Sequence, residues 1–332
     1  MQLHDSLGAH RVGAIHTANS PQACQALEKL AAEVKDFNIN PTWLDTDDLK
    51  RLVPWMRLEN GGQAVYSEGE CYIDPYRLGT GYARAAKMNG AEIHEGEAVI
   101  EVLQKGRRVI GVRTTQGTYS AAVTIDAAGA WAGLLAAQAG CTIPMAPVRS
   151  HYVITAPAAE IPPVQPMTFL PEGRVYTRPE LGGLLIGLRE HESIAVDPRQ
   201  VPENIDGYHF PRDPQGWESL DELAPLIKRF FPAIEDIQIA HYIAGFSTFT
   251  PDGMFNLGGF PDVGGFYAAA GCSGSGVAGS GGIGRATAEL ALGEKPFTDL
   301  SPFRMDRFGA VDQLDESFQK RCAAARSRKT SG

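Results

Sequence analysis

A glycine run near the C-terminal end constrains this chain most. Residues 268–290 read AAAGCSGSGVAGSGGIGRATAEL. The pattern is a strand ending at Gly271, a turn dense in glycine, and a helix. Such a junction brings backbone N–H groups at a helix start close to an anion or an electron-rich ring edge. Gly274, Gly276 and Gly279 spell G-x-G-x-x-G, as do Gly279, Gly281 and Gly284. A dinucleotide fingerprint needs more: a second strand and an acidic residue about 20 positions on. Glu294 lies near that distance, but in a Gly-Glu-Lys-Pro turn. Two readings stand at this point, a loop that closes over a ligand and a helix packed tightly on a sheet.

The rest of the chain alternates helical and β signals. Ser20-Pro21 opens a helix through about Val34, with Ser20 as N-cap. A second helix follows from DTDDLK, and Pro75 opens a third that Asn89-Gly90 ends. RRVIGVRTT and GTYSAAVTIDAAG form a hairpin across Gln116-Gly117. SLDELAPLIKRFFP is a helix with Ser219 and Glu222 in capping-box spacing. The expected architecture is mixed α/β, with an incomplete Rossmann-like nucleotide-binding layer intertwined with a β-rich substrate layer. Residues 1–70 and 143–245 belong to the β-rich layer, 71–142 and 246–310 to the nucleotide-binding layer, and 311–332 are a frayed basic tail.

A net charge of -9 argues against a nucleic-acid partner, which needs a basic face. The cysteines, Cys24, Cys71, Cys141, Cys272 and Cys322, are odd in number and widely spaced. That pattern fits neither a disulfide framework nor a zinc site, no metal site is expected, and a reducing cytoplasmic setting fits best. Residues 121–140 are apolar enough to suggest a membrane span. Asp126 and two internal glycines divide them instead into a buried strand, a turn and a helix.

Read in order, CYIDPYRLGTGYARAAKMNGAEIHEGEAV, GVRTTQG, VTIDAAGAWAGLLAAQAG, PVRSHYVIT, RPELGGLLIGLRE, the long segment from FTPDGMFNLGGF to GRATAEL, and FRMDRF resemble the D-amino-acid-oxidase-like FAD-dependent oxidoreductases. The dimethylglycine and sarcosine dehydrogenase branch is the most similar. The resemblance implies non-covalent FAD. It places the backbone of Val99 at the adenine end, and Ala127, Ala128, Gly129 and Trp131 near the pyrophosphate and ribityl chain. Trp131 reads equally as a core aromatic. Thr250, Asp252 and Gly253, with Gly271, Ser273, Gly274, Ser275 and Gly276, would meet the isoalloxazine side.

The departures are specific. Members of that family begin with a strand, a GxGxxG turn and a ribose-binding Glu, and nothing of this kind precedes Met1. The expectation is a chain that starts partway into the family pattern and holds FAD weakly by itself. Sarcosine oxidases carry a lysine where this loop has Val277-Ala278, and glycine oxidases an arginine where Ser247 stands.

The implied reaction is oxidation of a C–N bond in a small amine or amino acid: an N-methyl amino acid such as sarcosine or dimethylglycine, or a D-amino acid or glycine. Flavin N5 takes the hydride, and the acceptor beyond it is oxygen or a carrier protein. Candidates for the substrate side lie in the β-rich layer: Arg149, Tyr176 and Arg178 to bind a carboxylate, and His151, Tyr152 and Arg178 for catalysis. His151 and Tyr152 are neighbours on a strand, so one faces in and the other out. The alternative reading is a non-catalytic or accessory homologue that does not hold FAD alone. An NAD-dependent enzyme built on the late glycine run is the weakest reading, because the acidic partner is misplaced.

Overall fold

Two large sheets, beside the short pair Ala9–Arg11 and Cys71–Ile73, organise residues 8–59 and 61–329, which this computed structural model describes. The larger has eight strands. Their order is Ile239–Phe249, Ala146–Thr155, Gly183–Leu188, Val175–Glu180, Met167–Leu170, Ala14–Ala18, Gln63–Ser67 and Thr42–Trp43. Every pairing is antiparallel except Met167–Leu170 with Ala14–Ala18. The smaller sheet runs Asn256–Phe260, Val263–Ala270, Arg108–Thr114, Val99–Lys105. The fold is mixed α/β, as the sequence implies. No helix among the described residues is long and apolar enough to cross a membrane.

Alternation dictates how the large sheet packs. Along Val175–Glu180 every second residue is buried, the signature of one covered face. The covered face meets the helices Thr46–Leu52 and Trp217–Lys228. Between them lies a core of Trp55, Val153, Leu184, Ile186, Leu223 and Phe230. Fully burying each such side chain contributes about 1.5–3 kcal/mol. The small sheet packs Val109, Phe266 and Ala268 on the helix Ala132–Gln138 through Ala132 and Ala136.

Several local expectations change. The β-rich run RVGAIHTA, residues 11–18, reads as one strand in the sequence but breaks at Gly13, whose φ is +71° and whose Cβ position is filled by the Tyr66 ring. The second arm of the hairpin splits. Thr118–Ser120 pairs with Arg108–Thr114, whereas Thr124–Asp126 pairs in parallel with Val263–Ala270. Ser219 does not cap its helix. Asp213 does so, accepting from the backbone N–H of Glu218 at 3.0 Å and of Ser219 at 3.2 Å.

The tail expected over 311–332 is instead largely a docked helix, Glu316–Arg328, capped by Asp315, with residues 330–332 outside the described residues. Phe318 and Cys322 bury one face against Ala146, Val148 and Phe249. Arg326 then reaches the buried carboxylate of Glu190, with Nη1 2.6 Å from Oε2 and Nη2 donating to Leu188 O at 2.7 Å. Glu190 also accepts from Arg149 Nη2 at 3.4 Å and lies 2.9 Å from His151 Nε2. Burial alone would raise the Glu190 pKa. The bond from His151 and the charge of Arg326 overcome it and hold the group well below the carboxylate range.

Buried charges must be paired, and breaking one pair exposes the full desolvation cost of the other. Arg326→Met should therefore lower unfolding stability by about 3 kcal/mol. Urea unfolding should show a lower midpoint at unchanged slope. A midpoint equal to wild type would mean that the helix docks through its apolar face alone.

Candidate functional site

Two parallel strands set the position of the site. Thr124–Asp126 and Val263–Ala270 run side by side, with Asp126 opposite Ala268. Their C-terminal ends therefore release two turns at the same edge, 127–129 and 271–275. Ligands in open α/β sheets bind at that edge.

The second turn leads into the helix Gly276–Ala291, whose N-terminus no side chain caps. Its first amides are open donors, and the helix dipole favours an electron-rich group there. Left-handed backbone at Gly271, Ser273 and Gly274 (φ +64°, +49° and +76°) bends the chain into the helix. The turn Thr250–Gly253 packs beside it. Ser273 N–H donates to Thr248 O at 2.8 Å, and Thr250 N–H reaches Ser273 Oγ at 3.4 Å. Thr250 Oγ1 is fully buried and bonds Met254 O at 2.7 Å. Arg307 grips Asp252 with two nitrogens, at 2.8 and 3.0 Å, and Asn256 Oδ1 with a third at 2.8 Å. The turn 250–253 and the turn 271–276 thus lie side by side.

At the first turn the carboxylate of Asp126 is buried. Its Oδ1 accepts from Ala128 N–H at 3.0 Å, while Oδ2 has no partner. Burial pushes the Asp126 pKa up to about 6, against the small opposing effect of that bond. Gly129 has φ +56° and open space where a Cβ would stand. An orphaned acceptor, a small-residue cradle and an uncapped helix start fit a cofactor bearing hydroxyls and a ring with an electron-rich carbonyl edge, as FAD does. Trp131 belongs elsewhere: its indole N–H donates to Pro202 O at 3.2 Å, and the ring joins Ala130, Val196, Val201 and Phe210. Val99 begins the edge strand and is 38% exposed.

The open face of the large sheet supplies the other wall. Tyr152, Gly187 and Tyr176 stand in register across three strands. A Cβ at Gly187 would collide with the Tyr176 ring, so glycine is what lets that ring lie across the strand. A cavity of about 300 Å3 is lined by Tyr152, Tyr176, Arg189, Phe246, Gly274 and Lys329. It joins the sheet face to the glycine turn. Tyr152 also lines a second cavity of about 500 Å3 with Tyr72 and Arg178. Arg178 is ion-paired to Glu180 and lies 5.0 Å over the Tyr72 ring.

The side chains of Arg149 and His151 are buried in the charge cluster, although His151 also lines the 300 Å3 cavity. Arg149 is 1% exposed and donates to Asp213 O at 2.7 Å and Ser219 Oγ at 2.9 Å. His151 is bonded at both nitrogens, to Glu190 and, at 3.2 Å, to the Tyr242 hydroxyl. Burial lowers its pKa, and the charges of Arg149 and Arg326 add to this against the pull of Glu190. The cavity residues that sequence reasoning missed are Arg189 and Lys329. Arg189 carried no signal beyond its place after a strand. Lys329 follows a helix whose spacing, Phe318, Cys322, Arg326, was legible.

Comparison with known proteins agrees with this geometry. The family model described as FAD dependent oxidoreductase matches residues 2–290. The chain is 27% identical to 4-methylaminobutanoate oxidase (formaldehyde-forming) of Paenarthrobacter nicotinovorans over 81% of its length and 32% of that protein. It is 25% identical to the mitochondrial pyruvate dehydrogenase phosphatase regulatory subunit of Mus musculus, over 92% of this chain and 34% of that one. It thus spans about a third of the length of these curated relatives. Among solved structures, L-proline dehydrogenase from P. horikoshii superposes with a TM-score of 0.77 at 23% identity, covering 91% of this chain and 78% of that one.

The Asp126 carboxylate gives a test that needs no ligand. Its folded pKa, about 6, lies above the ordinary 3.8. Above pH 6 the native state bears a buried charge, and below 3.8 the group is neutral in both states. Asp126→Asn should therefore stabilise the ligand-free protein by about 1–3 kcal/mol at pH 7. The gain should shrink as pH falls from 6 to 3.8. Thermal unfolding across that range checks it, and a gain independent of pH would contradict it.

Proposed function

The chain belongs to the FAD dependent oxidoreductase family, and from that premise we propose that it oxidises the C–N bond of a small amine or amino acid, an N-methylated amino acid above all. The observation that carries this reading is the cavity that sets Tyr152 and Tyr176 opposite Gly274. A substrate there lies between an aromatic wall and the turn that fits the flavin ring. FAD, when bound, supplies the hydride acceptor. The protein's own task is to hold the substrate carbon in place and to keep water out. Tyr152 and Tyr176 give that wall a flat apolar body with a polar tip.

No proton acceptor stands free in the cavity wall among the described residues. His151 is buried, held neutral and bonded on both sides. The substrate nitrogen therefore binds as the neutral amine, so that its lone pair forms the C=N bond as the hydride leaves. Water then hydrolyses the imine. The 4-methylaminobutanoate oxidase among the relatives supports an N-methyl substrate.

A second reading has one supporting observation, the relative named as a phosphatase regulatory subunit. It makes this chain an accessory protein with the same fold and no turnover. The two readings separate in one experiment. The protein is mixed with FAD, and absorbance near ~450 nm is followed without oxygen as N-methyl amino acids, dimethylglycine, glycine and D-alanine are added. Bleaching by an amine supports catalysis. Tyr176→Ala should then slow the bleaching by about tenfold or more with flavin still bound. A protein that holds no flavin, or one whose retained flavin no amine bleaches, favours the accessory reading.

A further inference from the structure

We propose that Lys329, carried into the cavity by the C-terminal helix, anchors a carboxylate of the bound ligand. The inference deepens the amine-oxidation reading by naming the substrate as an amino acid rather than a simple amine, and it rests on that reading.

Charge balance carries it. Two of the other basic side chains buried behind this part of the sheet are matched by carboxylates. Arg149 pairs with Glu190 and Asp213, and Arg326 with Glu190. Lys329 is different. It lines the 300 Å3 cavity, and its ammonium donates to Ser273 O at 2.7 Å and to Ser275 Oγ at 2.6 Å. Both acceptors are neutral, and no carboxylate among the described residues pairs with it. An ammonium has three donors, so two bonds leave one N–H unspent. A half-buried cation without a counter-ion is costly unless a ligand brings one. Burial, helped by the nearby charge of Arg189, lowers the Lys329 pKa to about 8, so the charged form still prevails at neutral pH.

The surroundings fix where that anion goes. Arg189 Nη1 donates to Lys329 O at 2.8 Å, and its guanidinium lies 5.6 Å from the centre of the Tyr176 ring. The same cavity is walled by Tyr152, Tyr176 and Phe246. One end of a ligand therefore meets positive charge, and its body meets aromatic surface. Lys329 also stands 3.2 Å from where a Cβ on Gly274 would be. The anchor thus sits against the turn at which the reacting carbon would lie. A carboxylate one or two bonds from that carbon satisfies both ends. Lys329 lies outside the span that the family model matches, which ends at residue 290.

The test uses a matched pair of probes, cyclopentanecarboxylate and cyclopentanecarboxamide, which differ in charge but hardly in shape. Binding to the full chain is measured by calorimetry at pH 7 without flavin. The acid should bind about tenfold or more tighter than the amide, because charge-assisted hydrogen bonds are the stronger kind. Lys329→Gln should level the two affinities, and Lys329→Arg should keep the preference. The amide serves as the control for folding: a variant that still binds the amide has kept its cavity. Equal binding of both probes by wild type overturns the proposal, as does an acid preference that survives Lys329→Gln, or no binding of either probe. These outcomes are independent of flavin chemistry. A protein that prefers the acid yet never bleaches flavin keeps its anchor and loses only the catalytic reading.

Discussion

The Glu190 carboxylate is the point on which the rest of the structure turns. It lies two residues beyond the end of Gly183–Leu188, nearly sealed from water, and gathers Arg149, His151 and Arg326 from a neighbouring strand and a remote helix. A lone buried carboxylate costs several kcal/mol; three donors in good geometry offset that cost. The arrangement has a directional effect. It fixes the register between Ala146–Thr155 and Gly183–Leu188 from behind, and so sets which residues the open face presents. It also fixes the end of the C-terminal helix. A slip of one residue in Ala146–Thr155 would turn Tyr152 into the core.

The small sheet imposes the second constraint. Parallel pairing of Thr124–Asp126 with Val263–Ala270 places two turns at a single edge, and small residues stand close to those turns. Ala268 and Ala270 are buried, and Gly265 would meet backbone oxygens if it bore a Cβ. Small residues at the ends of the strands leave room for a cofactor to close on the turns.

The fold class and the glycine turn were legible in the sequence because both depend on local rules. Ser20-Pro21 and Pro75 marked helix starts that the structure keeps, capped by the side chains of Ser20 and Asp74. Residues 271–276 and 250–253 could be joined because a family resemblance supplied the pairing. What failed depended on distant partners. Ser219 has cap spacing, yet Asp213 takes the role because it must also answer Arg149. Arg149 and His151 carry the chemistry of an active site but face the core, which no local pattern reveals. The C-terminal helix looked like a frayed tail because its mean hydropathy is low. Its stability comes from Glu190, 136 residues away from Arg326 in sequence.

Gly187 shows how much one missing methyl group can decide. The Tyr176 ring rests on the bare backbone there, with the Arg189 guanidinium beside it. An aromatic side chain usually sheds rotational freedom when a ligand arrives, and that loss is subtracted from affinity. Here the freedom was surrendered when the chain folded. The shelf is finished before any guest reaches it, so recognition at this wall is a matter of shape already cast, and a ligand that fits poorly cannot persuade the ring to move aside.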